Sequence, residues 1–357
     1  VTSIVKQPGP PETANPSPPV PRRRRVRRLV LAVAAGLVLV LVAGAAVAVA
    51  VLRVRVESAV KQRDLLSAGS RQGGEPQFTL HGPLNFLLLG SDARPGERLG
   101  QRSDTIIIVH IPATLRAAYL ISIPRDLRVE IPPATREGFS GATDKINSAF
   151  AYGSLAGRSE EAGVRLLSAT LTELTGIRFD GAAIIDFQGF QQVVRLLGGV
   201  DMCVDTYTRS IHTGTVYRPG CRRMAPWEAL DYLRQRYDQP NGDYDRQRHQ
   251  QQFLKAVLAE ATRQGLTNPL KLDALLRAMA ATMTVDTNGA PLDQLVIGLR
   301  DLRASAITGI RVPSYPEMID GTSYVLPYPA ADSLFAALRT DRLGAWALEN
   351  KAWINHL

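Results

Sequence analysis

The chain has 357 residues, 45% hydrophobic and 21% charged, with a formal net charge of +9. That length allows two ordinary domains or one large one, and the composition excludes full disorder and collagen-like repeats. Two cysteines are too few for a disulfide-dense mini-protein and lack the spacing of a four-ligand zinc site.

The charge is unevenly placed. Lys6, Arg22, Arg23, Arg24, Arg25, Arg27 and Arg28 stand against Glu12 alone within the first 29 residues. The rest is only mildly basic, so overall charge is no argument for nucleic-acid binding. Residues 1–28, basic and proline-rich, read as a disordered cytoplasmic tail. From Leu29 to Leu52 no residue is charged, and ~20 apolar residues suffice to cross a bilayer core. A transmembrane helix over 29–52 is expected, with the N-terminus cytoplasmic and the body outside the cell. A cleaved secretion signal is the rival reading, but its apolar region would run about 7–15 residues. Residues 53–80 read as an extracellular stalk: 53–66 continues the helix, and Gly69, Gly73, Gly74 and Pro76 stop it. The folded body is expected over 81–341, with 342–357 as a C-terminal tail.

Within the body, the runs 85–89, 105–111, 117–123, 182–187, 200–204 and 307–312 are short, β-branched and apolar on both faces. They predict strands of a sheet covered on both sides. Helical spacing alternates with them. Val164, Leu167, Leu171 and Leu174 form one stripe, and Phe190, Val193, Val194 and Leu197 another, ended by Gly198–Gly199. Helices are also expected over 245–263, 270–283, 292–302 and 330–338. The fold class is α/β, a central mixed sheet with helices on both sides. Cys203 and Cys221 lie 18 apart. In an oxidising compartment such a pair closes a loop as a disulfide; two unrelated buried thiols is the other reading.

Familiar catalytic signatures are missing: no G-x-S-x-G, no G-x-x-x-x-G-K-[ST], no G-x-G-x-x-G and no H-E-x-x-H. What remains is carboxylates and arginines at strand ends. LLLGSDAR places Asp92 just past a buried strand, where open α/β sheets collect ligands. QRSDTIIIV places Arg102 and Asp104 at the start of the next strand. If those strands are antiparallel neighbours, both carboxylates lie at one sheet end and suit a hard cation such as Mg²⁺, with Mn²⁺ as a substitute. Turn and cap roles would leave the same pattern. SIPRDLRVEIP puts Arg125 and Asp126 at the exit of a third strand.

The densest cluster is YLRQRYDQPNGDYDRQRHQQQF. Arg234 and Arg236 share a face if the chain is extended there. Arg246 and Gln250 fall on the helix face of Phe253 and Val257. An arginine on a partly apolar face is costly unless an anion meets it, and guanidinium forks match phosphate oxygens. Asp243 is either a helix cap or a catalytic acid. A solvated charged face is the plain reading of the whole run.

In this order, GSDAR, QRSDTIIIV, SIPRDLRVEIP, DKINSAFAYG, LTGIRFDGAAIIDFQGFQQVVRLLGGVDMCV and ALDYLRQRY…GDYDRQRHQQQF resemble the LytR-CpsA-Psr family. The resemblance is dense over 83–261 and looser to 339, and the Ala/Arg-rich composition is similar to actinobacterial members. It implies transfer of a glycopolymer, of teichoic acid, capsular polysaccharide or arabinogalactan type, from a polyprenyl diphosphate carrier to peptidoglycan. By motif, Asp92 and Asp104 would hold Mg²⁺. Arg102, Arg125, Arg234, Arg236, Arg246 and Gln250 would clamp the diphosphate, with Arg94 at a frequent but not universal position. Asp243 matches an acidic position before the last arginine, and Asp126 and Asp243 are candidate bases.

The expected chemistry is positioning plus charge stabilisation, without a covalent nucleophile. The prenyl chain needs an apolar slot between the sheet and helices such as 166–174 or 187–197. Two rivals stand beside this reading. One is a polyprenyl diphosphate pyrophosphatase or phosphatase; the other is a non-enzymatic, membrane-anchored regulator that binds wall polymers. No basic recognition helix favours a nucleic-acid partner.

Overall fold

Strand formation follows the apolar runs. The computed structural model describes residues 61–73, 82–91, 103–237, 239–264, 283–290, 294–295 and 298–357, all within the unit Arg53–Leu357. The expected tail and membrane helix (1–52) and the expected helix 270–283 lie outside the described residues, apart from Met283. No helix among the described residues is long and apolar enough to cross a membrane.

Among the described residues the main sheet has eight strands. They are β1 (Lys61–Gln62), β2 (Leu84–Ser91), β3 (Ser103–Ile111), β4 (Ala118–Ser122), β5 (Gly181–Ile185), β6 (Met283–Asp286), β7 (Ile307–Arg311) and β8 (Ile354–Asn355). Their spatial order is β1-β6-β5-β2-β3-β4-β7-β8. Parallel and antiparallel pairs mix: β2 runs antiparallel to β3 and parallel to β5, while β4 runs antiparallel to β3 and parallel to β7. The helices are α1 (Ile146–Ala156), α2 (Glu160–Thr175), α3 (Phe187–Leu196), α4 (Pro226–Leu233), α5 (Asp243–Arg263), α6 (Ala330–Arg339) and α7 (Leu343–Glu349).

Alternation along the strands sends side chains to two helix layers. Leu87, Leu89, Ile106, Ile108 and Ile121 face α1, α2 and α6 through Phe150, Leu167, Leu171 and Leu334. Leu84, Ile107 and Leu120 face the other way, towards Leu254 and Leu258 of α5 and Leu302. A third apolar cluster joins α3, α4 and α5 through Phe190, Val194, Leu233 and Phe253. Helices α1 and α2 approach closely at Gly153 and Gly163, where an added Cβ would come within 2.6 Å of a carbonyl oxygen of the opposite helix. Glycine is therefore required at both.

Three stretches differ from the sequence expectation. Residues 61–73, expected as stalk, are folded into the body: β1 pairs with β6, and Leu65 and Leu66 are 0% and 1% exposed. Asp286 accepts the Leu65 and Leu66 backbone N–H groups and pairs with Arg71, anchoring the segment to β6. Residues 342–357, expected as a tail, form α7 and edge strand β8, which pairs with β7. Residues 200–204 do form a strand, but it pairs with Gly220–Met224 in a separate two-stranded sheet. Cys203 and Cys221 face each other across that pair and are joined as a disulfide.

Helix α5 is seated on the sheet by one buried side chain. Gln251 is 0% exposed. Its amide donates to the Leu120 and Ile310 carbonyls and to Ser122 Oγ at 2.8–2.9 Å, and its oxygen accepts from Asn355 Nδ2 at 2.8 Å. A Cβ at Gly309 would lie 2.3 Å from that oxygen, so the residue facing Gln251 has no side chain. Replacing Gln251 by Ala strands several buried groups, each worth ~1–3 kcal/mol. Gln251→Ala should lower the unfolding free energy by about 2–4 kcal/mol, read from the midpoint of urea denaturation.

Candidate functional site

The sheet register brings several strand ends to one edge. β2 ends at Ser91, and its Gly90 is opposite both Thr105 at the start of β3 and Ile185 at the end of β5. β4 ends at Ser122, opposite Ile107 of β3, and leads into Arg125 and Asp126. β2 and β3 are antiparallel neighbours, the condition on which the expected carboxylate pair depends. Asp104 lies at this edge; Asp92, Arg94 and Arg102 lie outside the described residues.

Three carboxylates surround Arg125. Its Nη1 lies 2.5 Å from Asp104 Oδ1, and its Nε lies 3.5 Å from Asp126 and 3.6 Å from Asp243. Asp243 Oδ1 is also 2.7 Å from Arg246 Nη2, which donates to the Asp104 backbone carbonyl at 3.0 Å. Asp243 is the first residue of α5 and not its cap; Gly242 takes that position with φ +53°. The Asp243 carboxylate turns instead to Arg246 and accepts from Gln247 Nε2. Asp126 binds Lys145 Nζ at 2.9 Å. Lys145 ends the short strand Ala142–Lys145 and lies within the DKINSAFAYG stretch, where no spacing assigns it a role.

The electrostatics of the two inner arginines diverge. Burial pulls Arg125 down, but Asp104, Asp243 and Asp126 outweigh it and its pKa ends raised. Arg246 is only 7% exposed. Burial lowers it, Arg125 and Arg236 lower it further by like-charge repulsion, and Asp243 and Asp104 do not restore it. The Nε atoms of both arginines are buried without a hydrogen-bond partner. A buried guanidinium left short of acceptors is a site for an anion.

These groups open onto a cavity of about 490 Å³. Asp104, Arg125, Arg234, Arg236, Arg246 and Gln250 all line it; Asp126 and Asp243 stand behind them. Arg234 is the C-cap of α4 with helical backbone angles (φ −93°, ψ −9°), and the Gln235 N–H donates to the Tyr232 carbonyl. The segment is therefore a turn and not the extended chain that would set the pair on one face; both arginines nevertheless line the cavity. Arg234 stacks on Phe187 at 4.5 Å, and Arg236 on Tyr237 at 4.7 Å. The interior is apolar: Leu88, Ile185, Phe190, Val193, Phe253 and Val257 form its walls. The apolar slot therefore adjoins α3, as expected for 187–197. Residues 166–174 instead pack in the core on the opposite face of the sheet. His212 lies at the cavity lip, lowered by burial and by Arg234. No sequence pattern marks it.

Among the described residues no group of three or more His, Cys, Asp or Glu is placed to hold a metal ion. Asp104, Asp126 and Asp243 are matched by Arg125, Arg246 and Lys145, so they carry no surplus charge. Of the two carboxylates expected to hold a metal, Asp104 is described, and it is paired with Arg125 at 2.5 Å.

Fold and site together define an α/β protein whose basic strand-end rim opens onto an apolar cavity. The LytR_cpsA_psr family model matches residues 52–340, and the chain belongs to that family. It is 32% identical over 270 residues to the "probable cell wall biosynthesis protein LcpB" of Corynebacterium glutamicum, covering 71% of this chain and 61% of that one. It is 31% identical over 209 residues to a Bacillus cereus protein named polyisoprenyl-teichoic acid–peptidoglycan teichoic acid transferase TagU, covering 58% of this chain and 61% of that one. The match thus spans about three fifths of either relative's length. Among solved structures, one titled "TagT bound to LI-WTA" superposes with a TM-score of 0.59 at 23% identity, covering 78% of this chain and 96% of the other.

Neutralising Asp243 removes a counter-charge shared by Arg125 and Arg246. Asp243→Asn should lower the unfolding free energy by about 1–3 kcal/mol, and inorganic pyrophosphate should raise the variant's melting temperature. A variant as stable as the wild type in urea denaturation would show that the carboxylate does not hold the arginines together.

Proposed function

We propose that this chain is a phosphotransferase that moves a glycopolymer from a polyprenyl diphosphate carrier to peptidoglycan; a relative is named a polyisoprenyl-teichoic acid–peptidoglycan teichoic acid transferase. The observation that carries the reading is Arg246: a buried guanidinium, short of acceptors, beside Arg125 and Arg236 at the mouth of an apolar cavity. Such a site is complementary to an amphiphile with a doubly anionic head and a hydrocarbon tail.

In this reading the prenyl chain occupies the cavity between α3, α5 and the sheet. Arg125, Arg234, Arg236, Arg246 and Gln250 hold the diphosphate oxygens, with Arg94 and Arg102 assigned to the same task by motif. Asp92 and Asp104 would hold Mg²⁺, assigned by motif, and the ion would supply further neutralisation of the diphosphate charge. A hydroxyl of the acceptor glycan attacks the phosphorus bonded to the polymer. The bond from that phosphorus to the bridging oxygen breaks, polyprenyl phosphate leaves, and polymer and acceptor are joined by a phosphodiester. The hydroxyl proton passes to a carboxylate beside Arg125. The arginines stabilise charge on the oxygens and the leaving phosphate, which is most of what such a transfer demands. The body then works outside the cell at the membrane surface, anchored by 29–52 with a cytoplasmic N-terminus.

The test supplies labelled lipid-linked polymer with and without peptidoglycan. Label should enter peptidoglycan only when acceptor and Mg²⁺ are both present, and chelation should stop it. Release of label without acceptor would identify a hydrolase instead. Arg125→Ala and Arg236→Ala should each reduce transfer by about 10²-fold or more, the usual loss when a charge-stabilising donor is removed. Full activity in either folded variant would remove that residue from the site.

A further inference from the structure

The cavity engages only one side of the reactive rim. Its walls come from β2, β3, β5 and β6 and from helices on that side, with no residue of β7. Yet β7 runs parallel to β4 and ends at the same edge, with Arg311 opposite Ser122. The rim therefore continues past Arg125 to Arg311, and the strand ends of a parallel pair are where open α/β sheets present ligand-binding groups.

Arg311 is an unusual cation. Among the described residues it forms no ion pair. Its guanidinium donates one 3.3 Å hydrogen bond, to the Ala352 carbonyl. It is held between two rings, 5.5 Å from the Tyr244 centroid and 4.9 Å from that of Trp353. The aromatic row continues outward: Trp353 lies 5.7 Å from Tyr328, and Tyr328 lies 4.7 Å from Tyr315. Tyr328 is 42% exposed and the others are partly exposed. At its inner end the row meets the catalytic cluster, because Tyr244 follows Asp243 on the first turn of α5. Tyr244 is fixed there by a 2.9 Å hydrogen bond between its hydroxyl and Ser314 Oγ.

A row of partly exposed rings with an unpaired guanidinium has a definite complement. A pyranose presents a face of C–H bonds that packs on an aromatic ring, hydroxyls that meet tyrosine hydroxyls, and, in an acidic sugar, a carboxylate for the arginine. The hydrocarbon tail of the donor has its own cavity on the far side of Arg125. We propose that the row Tyr244–Arg311–Trp353–Tyr328–Tyr315 binds the glycan acceptor, with Arg311 receiving an anionic substituent of the sugar chain. The nucleophilic hydroxyl then reaches the rim from the β7 side, while the lipid leaves into the β2–β5 side. This assignment rests on the transfer reading above and adds to it where the acceptor lies.

The experiment uses the full chain in detergent, with Arg311→Ala, Tyr328→Ala and the rescue variant Arg311→Lys. Three quantities are measured: co-sedimentation or affinity for soluble un-crosslinked peptidoglycan strands, KM for those strands in the transfer assay, and affinity for geranylgeranyl diphosphate. Arg311→Ala should weaken strand binding and raise the strand KM about tenfold, the equivalent of ~1.4 kcal/mol. Tyr328→Ala should do so about threefold, Arg311→Lys should recover part of the loss, and diphosphate affinity should stay at the wild-type value in all three. Strand binding and KM within twofold of wild type in folded Arg311→Ala and Tyr328→Ala would overturn the assignment and leave the transfer reading standing. An equal loss of diphosphate affinity would overturn it too, by showing that the row serves the donor. If the wild type binds strands through Arg311 but transfers nothing to them, the acceptor surface stands and the transfer reading is what fails.

Discussion

Arg246 sits inside the protein beside two other guanidinium groups, and the local structure is arranged to hold it there. Removing a charge from water costs several kcal/mol unless partners replace the lost solvent. Asp243 and the Asp104 carbonyl replace part of it, and burial still leaves the guanidinium below its ordinary value. Helix α5 is tied to the sheet nearby. Gln251, one turn and a residue further along α5, spans β4, β7 and β8 with its amide, and Gly309 gives it room. The side chain that seats the helix thereby keeps Arg246 and Gln250 aimed at the cavity. Preorganisation of this kind moves the desolvation cost from the binding event into folding.

Polarity changes sharply across the cavity. At the rim, Arg125, Arg234, Arg236 and Arg246 converge; a few ångströms inward the walls are leucine, isoleucine, valine and phenylalanine. Each long cation contributes to both regions, because its methylene stem lies along apolar surface while its head reaches the rim. Stacking of Arg234 on Phe187 is the clearest case, since Phe187 opens α3, whose next apolar residues, Phe190 and Val193, line the slot. A ligand with only a charged head would leave the apolar walls wet, and one with only a tail would leave the guanidinium groups unpaired. Both halves are needed to satisfy the site.

How far this is legible in the sequence depends on whether a feature has a local pattern. Strands β2, β3, β4, β5 and β7 show as apolar β-branched runs, and α2, α3, α5 and α6 show as spaced stripes. β1 and β8 are two residues each, too short for any periodicity, and exist because β6 and β7 offer edges to pair with. Leu65 and Leu66 read as the end of a stalk because glycines follow them, whereas Asp286, more than 200 residues away, holds their backbone in the core. In the site, Arg246 and Gln250 are legible because they put a charge and an amide on the helix face of Phe253 and Val257, while Arg234 and Arg236 stand out only as a close arginine pair in the same run. Asp243 is ambiguous from sequence, since an acid at a helix start serves a cap or a site equally. The structure gives the cap position to Gly242 and turns the carboxylate to the arginines. His212 has no such signature, and Lys145, though inside the DKINSAFAYG stretch, has no spacing that gives it a role; both roles arise only when separate segments meet.

The lip of the cavity shows a further use of buried charge. Asp231 is 5% exposed and lies in the last turn of α4, just before Arg234. Its carboxylate accepts from Ser210 Oγ at 2.7 Å, Thr213 Oγ1 and Tyr217 Oη at 2.8 Å, and Gln235 Nε2 at 3.2 Å. All four donors are neutral, so the carboxylate is stabilised by hydrogen bonds and by no described cation in contact. Burial, with Asp231 beside it, pushes the Tyr217 hydroxyl up, which keeps it a donor. Three of those donors come from the loop that carries Ile211 and His212 to the cavity, and the Cys203–Cys221 disulfide ties the strands on either side of that loop. Loops at binding sites usually come from the mobile end of a structure's stability range. Here one carboxylate couples the loop to the helix end that presents Arg234, so the apolar lip and the basic rim keep their separation. A slot whose two halves are fixed relative to each other selects for ligands in which the anionic head and the first carbons of the tail have that same spacing.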